Sequence, residues 1–273
     1  METLEVGMPI DVAESRPSRT AYVVEYHPRL VEDIVLAAMR NHREEQPYRA
    51  ERDRLYEIRD PEESDAAFLE FNRNWFTRME LQRPVQQALD ERPVIAAATG
   101  RCFVAAARSR VDEGAELFVA PPPEGEDETT GRVVGMKIRP ESFLDPERLV
   151  ALLRHEVLHI AHIVDPSFGY QPSLVGEGDI QILVTLLQAR YRAIWDAVID
   201  GQLVIEGKSL AATRPHRLRD FSRVFRMLGD QTEEAFTRLF DSPSHSHSDL
   251  VAYARTPEKM LESSEEQRRI SSV

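Results

Sequence analysis

The sequence predicts an α+β fold, mostly helical with a small sheet. Helix-start signals recur along the 273 residues, apolar stripes of helical period follow them, and two short runs in the middle read clearly as strands. With 42% of its residues hydrophobic, the chain can bury a sizeable core.

Taken in order, residues 1–18 read as a loose arm. A helix is expected from about Pro28, with Leu30, Ile34, Val35 and Met39 on one stripe. Asp60-Pro61-Glu62-Glu63 opens a second helix, reaching about Leu81. It offers a capping carboxylate, a proline in the first turn and acids at the positive end of the helix dipole. The stripe Phe68, Phe71, Trp75 and Phe76 on this helix reads as core. A short helix near Pro84–Leu89 follows, and Val94–Ala107 is apolar enough for strand or helix. Ala115–Ala120 and Arg132–Arg139 read as strands on either side of an acidic, proline-rich stretch, 121–128, taken as a solvated loop. Asp145-Pro146-Glu147-Arg148 starts a helix that runs to about Val164 and is ended by Pro166. The next long helix begins near Asp179 and carries Ile180, Val184, Leu187, Tyr191, Ile194 and Val198 at steps of four and three. It is expected to stop at Gly201, as a C-terminal glycine. Helical stretches near Arg217–Leu228 and Thr232–Phe240 come next, then a polar, frayed tail from Ser242. The chain thus divides into a helical region, 1–110, a motif-bearing region, 111–241, and a tail, 242–273. No clear linker separates them, so one continuous domain is the alternative.

Composition narrows the function. A formal charge of −13 argues against nucleic acid as the main partner, because phosphate recognition needs a basic surface. Cys102 is the only cysteine, which rules out an intramolecular disulfide and a multi-cysteine zinc site and fits a reducing, cytoplasmic compartment. The N-terminus carries Glu2, Glu5, Asp11 and Glu14 and lacks the basic start and apolar core of a secretory signal. No apolar run of about eighteen residues is present to span a membrane.

Chemistry is concentrated in His155-Glu156-Val157-Leu158-His159, which fits the zinc signature H-E-x-x-H. Residues i and i+4 lie one turn apart on one helix face, so both imidazoles can reach one ion. Glu156, beside the first histidine, is placed to reach a water on the ion rather than the ion itself, and so to act as general base. The helix is apolar nearly all round, from Leu149 to Val164, and hence buried. Two buried histidines and a glutamate without partners would cost several kcal/mol, and a metal is an economical partner.

A strand over Arg132–Arg139, read as an edge strand, then a capped helix with HEVLH, then a long second helix, resembles the zincin metallopeptidases over roughly residues 115–203. The closest likeness is to compact bacterial zincins whose second helix supplies the third ligand. Trp195 to Leu203 is similar to the Asn/Asp-x-x-x-Asp helix ends of that group. Residues 1–110 resemble no known family. The resemblance implies a small mixed sheet packed on the HEVLH helix, a Zn2+ cofactor held by His155, His159 and Asp200, and a peptide or protein substrate laid along an edge strand.

Other third ligands stay open. On a thermolysin-like reading Asp196 binds the metal and Asp200 orients a histidine from behind; both aspartates also lie opposite the apolar stripe, where they could face water. Asp165 has the spacing of the short metzincin pattern, but His162 stands where that pattern needs glycine, and no clear Met-turn follows. Glu177 lies in the Gly176-Glu177-Gly178 loop, outside the helix. His162 shares the histidine face but sits about 10 Å along the axis, too far for the same ion, and reads as structural. His245 and His247 read as part of a solvated serine-rich loop. The expected function is zinc-dependent peptide hydrolysis with Glu156 as base. The alternative is a metal-binding interaction protein of the same fold without peptidase activity.

Overall fold

The computed structural model describes residues 22–262 apart from 123, 124, 126, 127, 175–180 and 243. The expected arm over residues 1–18, part of the acidic loop and the candidate Glu177 fall outside the described residues.

Strand β1 (Val23–Tyr26) leads into α1 (Pro28–Met39), α2 (Glu45–Leu55), α3 (Pro61–Arg78), α4 (Arg83–Asp90) and the short α5 (Pro93–Ala98). The signals that predicted these helices are visible as contacts. The Asp60 carboxylate accepts from the Glu63 N–H at 2.9 Å at the start of α3, and Phe71, Trp75 and Phe76 are buried on its inner face. The ambiguous stretch Val94–Ala107 is both things in turn, α5 and then β2 (Arg101–Ala106). Next come β3 (Gly114–Val119), β4 (Arg132–Ile138) and α6 (Pro146–Val164), whose first turn is capped by Asp145 accepting from the Arg148 N–H at 3.2 Å. There follow α7 (Gln181–Ile205), α8 (Arg214–Val224), α9 (Thr232–Asp241) and α10 (His247–Arg255).

The four strands form one mixed sheet in the order β1-β2-β4-β3, with β1-β2 and β2-β4 parallel and β3-β4 antiparallel. Cys102, Val104, Val134, Met136 and Ile138 are buried on one face, where alternation along a pleated strand puts them together. The strand over Arg132–Ile138 is therefore interior, not the expected edge; β1 and β3 are the edge strands, and β3 packs beside α6. The difference lies in the parallel pairing of β2 with β4, a long-range contact that local alternation does not encode.

Two further expectations change. Helix α7 does not stop at Gly201 but runs four residues past it. The glycine serves close approach instead: a Cβ there would stand 2.0 Å from the Phe240 carbonyl oxygen, so α9 can pass against α7 only at glycine. Of the tail expected to fray from Ser242, residues 247–255 form α10, opened by a capping box between Ser246 and Asp249 and burying Leu250, Tyr253 and Ala254, while residues 263–273 fall outside the described residues. Its apolar face packs against α7, which overrides the polar composition of the segment. Because β1 belongs to the same sheet as β3 and β4, one core runs from α1 through the sheet to α10.

Candidate metal centre

Helix α6 is buried along most of its length, and α7 crosses it with Ile194, Ala197, Val198, Ile199, Asp200 and Leu203 all fully buried. Over Ile194–Leu203 the helix is enclosed on several sides and has no water-facing stripe. The polar side of α7, which could have faced solvent, instead faces α6 and α8. That crossing brings the two histidines of α6 against the two aspartates of α7.

Three atoms converge. His155 Nε2 and His159 Nε2 are 3.3 Å apart, and Asp196 Oδ1 lies 3.1 Å from the second and 3.5 Å from the first. Among the described residues these three side chains form the one group able to share an ion. The spacing can be tested against zinc: tetrahedral bonds of about 2.0–2.1 Å set neighbouring ligand atoms about 3.3 Å apart, whereas octahedral bonds of about 2.1 Å set them about 3.0 Å apart. The observed triangle fits the tetrahedral face better.

Asp200, the third ligand favoured on sequence, stands behind this triangle rather than at it. Its Oδ1 lies 2.7 Å from His155 Nδ1, and its Oδ2 accepts from Arg217 Nε at 2.6 Å. Donation from Nδ1–H to Asp200 fixes the tautomer that leaves Nε2 of a neutral His155 free to bind metal. The geometry thus places the two aspartates as in the thermolysin-like alternative. Asp165 is elsewhere, its carboxylate closing a turn on the Ser167 N–H and hydroxyl, both at 2.8 Å. His162 is fully engaged, Nδ1 accepting from Trp195 Nε1 at 3.0 Å and Nε2 donating to Gln202 Oε1 at 3.1 Å. His247, expected in a solvated loop, is buried in α10 with its Nδ1 2.7 Å from the Tyr191 hydroxyl.

The electrostatics follow from burial. Burial opposes a charge on His155, but the carboxylates of Asp196 and Asp200 outweigh it and raise its pKa to about 9. For His159 burial wins, helped by the neighbouring His155, over the opposing pull of the Asp196 and Glu156 carboxylates, and its pKa falls. Burial would raise the Asp196 pKa, but contact with both imidazoles holds it well below the usual carboxylate range.

Comparison of the chain with family models, curated proteins and solved structures finds no match. The chemistry therefore rests on the residues themselves.

Glu156 lies outside the triangle and points toward the sheet edge. Its Oε2 accepts from the Ala115 N–H of β3 at 3.3 Å, and a Cβ on Gly114 would come within 3.1 Å of the same oxygen. Both Glu156 and His159 line a cleft of about 1180 Å3 that runs between β3 and the start of α7, walled by Phe118, Tyr170 and Trp195. The sequence reading missed two parts of this site. Arg217 arrives from α8, with no spacing that ties it to the motif. Gly114 carried a weak signal, as a small residue at the start of a strand run.

Proposed function

We propose that the protein is a zinc-dependent metallopeptidase, with Zn2+ held by His155, His159 and Asp196 and with Glu156 as the general base. The observation that carries this reading is the triangle of His155 Nε2, His159 Nε2 and Asp196 Oδ1, with edges of 3.1–3.5 Å, and a glutamate beside it that is not part of it. A structural site is closed by four protein ligands, whereas three ligands and an adjacent base suit catalysis. Zinc bound there would act as a Lewis acid, polarising a carbonyl and making water a nucleophile near neutral pH.

The chain's own groups supply the rest. Glu156 Oε2 takes up a proton in the cleft and can return it to the leaving amine. Asp200 holds His155 in the tautomer that binds. Strand β3, paired on one side only, offers backbone groups to an extended peptide, and Phe118, Tyr170 and Trp195 give that peptide's apolar side chains a surface. A cytoplasmic setting goes with this reading, since the lone Cys102 thiol is buried with no cysteine to pair with. Among the described residues no helix is long and apolar enough to cross a membrane.

The test is elemental zinc analysis and a peptide-hydrolysis assay on the wild type and Glu156→Gln. Zinc should remain near one equivalent in both, while hydrolysis falls by about 100-fold or more in the variant. A wild type without zinc overturns the reading. A variant that loses its zinc would make Glu156 a ligand and overturn the assignment of roles. Zinc without hydrolysis in the wild type would favour the metal-binding interaction protein.

A further inference from the structure

We infer that Arg217 selects and orients the third metal ligand: one guanidinium holds Oδ2 of both Asp196 and Asp200, leaving Asp196 Oδ1, among the described residues, as the carboxylate oxygen that faces the Nε2 atoms of both imidazoles. This rests on the zinc reading above. Nε of Arg217 donates to Asp200 Oδ2 at 2.6 Å and Nη1 donates to Asp196 Oδ2 at 2.9 Å. The side chain is only 13% exposed and comes from α8, an element that carries neither histidine nor aspartate of the centre.

The sequence alone leaves the choice between the aspartates open because they are a helical turn apart on α7. Two buried carboxylates at that separation repel each other, and a buried cation shared between them offsets this. The planar fork of a guanidinium also does what a point charge cannot. It spans two carboxylates at once and fixes the rotation of each about its side-chain bond. Asp200 then has both oxygens engaged, one by His155 and one by Arg217. Asp196 has one oxygen engaged by Arg217 and the other facing His155 and His159. Binding through a single oxygen follows. With Arg217 removed, the Asp196 carboxylate is free to turn and offer both oxygens or neither.

The experiment measures zinc affinity by competition with a chromophoric chelator, for the wild type, Arg217→Ala, Arg217→Lys and Arg214→Ala. Arg214, on the same helix, pairs with Asp241 at 3.3 Å and serves as the control for loosening α8. Arg217→Ala should bind zinc about 10–100-fold more weakly, as is usual for groups that support metal ligands. Arg217→Lys, keeping the charge but not the fork, should fall in between, and Arg214→Ala should match the wild type. Replacing zinc with cobalt(II) adds a spectroscopic readout: the tetrahedral absorption bands of the wild type should weaken and shift in Arg217→Ala and persist in Arg214→Ala. If Arg217→Ala does not fold, Arg217→Lys decides, and wild-type affinity with unchanged bands in that variant overturns the inference. Wild-type affinity in a folded Arg217→Ala overturns it as well. A wild type that binds neither metal overturns the zinc reading and this inference together, so the two failures are distinguishable.

Discussion

Glu156 shows how a single side chain can be placed by what its neighbour lacks. Its carboxylate rests against Gly114, where an added Cβ would come within 3.1 Å of Oε2, and it is steadied by the Ala115 N–H. The absent side chain leaves room for the carboxylate, while the backbone beside it gives the carboxylate a donor. Gly114→Val should therefore push the carboxylate out of place, and an ångström of misplacement is enough to cost about 10–100-fold in rate. Zinc content should not change, and stability should shift by no more than about 1 kcal/mol, because the crowded atom is the end of a flexible side chain. Zinc analysis, thermal melting and peptide hydrolysis on the one variant check all three. A loss of metal would show that Gly114 serves the fold of the centre rather than the position of Glu156.

At the scale of elements, the orientation of α6 depends on the groups that pin it. Arg154, one residue before His155, makes a two-pronged contact with Glu91 at the end of α4, at 2.7 and 2.8 Å, and Lys208 beyond α7 reaches the same carboxylate at 3.3 Å. Arg92 forms a close ion pair with Glu206 beside it. Hydrogen bonding from Arg154 is the main cause that lowers the Glu91 pKa from 4.5 to about 2, against a smaller opposing effect of burial. A carboxylate whose folded pKa is depressed adds stability at pH values above its unfolded pKa, and that stability is lost as pH falls through the folded value. Glu91 should thus contribute at neutral pH and lose its contribution between about pH 4.5 and pH 2. Glu91→Gln should be less stable than the wild type by about 2 kcal/mol at pH 7, and the gap should close toward pH 2. Urea unfolding at a series of pH values measures it. A gap that stays constant would mean that the contact contributes by packing and not by charge.

For the molecule as a whole, the sheet decides how many parts there are. β1 pairs with β2, β2 with β4 and β4 with β3, so the N-terminal helical region and the motif-bearing region share one sheet and one core. Trp75, on α3, is buried at the N-terminal end of that core and donates to Glu51 Oε2 at 3.0 Å. Trp195, on α7, packs across His159 with ring centroids 4.4 Å apart. Each reports on one end of the molecule. In Trp75→Phe and Trp195→Phe, the fluorescence of the remaining tryptophan should lose its folded signal at the same denaturant midpoint as the circular dichroism of that variant. Separate midpoints would show two independently folding domains, and the division near residue 110 read from the sequence would stand.

The sequence by itself determined the parts whose causes lie within a turn or two of chain. The start of α6 is written in Asp145 and Pro146, the shared face of His155 and His159 in their spacing, and the placing of Asp196 and Asp200 one turn apart on α7 in theirs. Capping bonds and helical period are local, so they can be read without a fold. Tertiary structure decided which aspartate faces both Nε2 atoms, that the strand over Arg132–Ile138 is interior, and that α10 folds onto α7. These depend on how one helix is rotated against another and on a guanidinium arriving from a third. Such settings are fixed by packing between segments some forty residues apart for α6 and α7, and no local pattern encodes that contact.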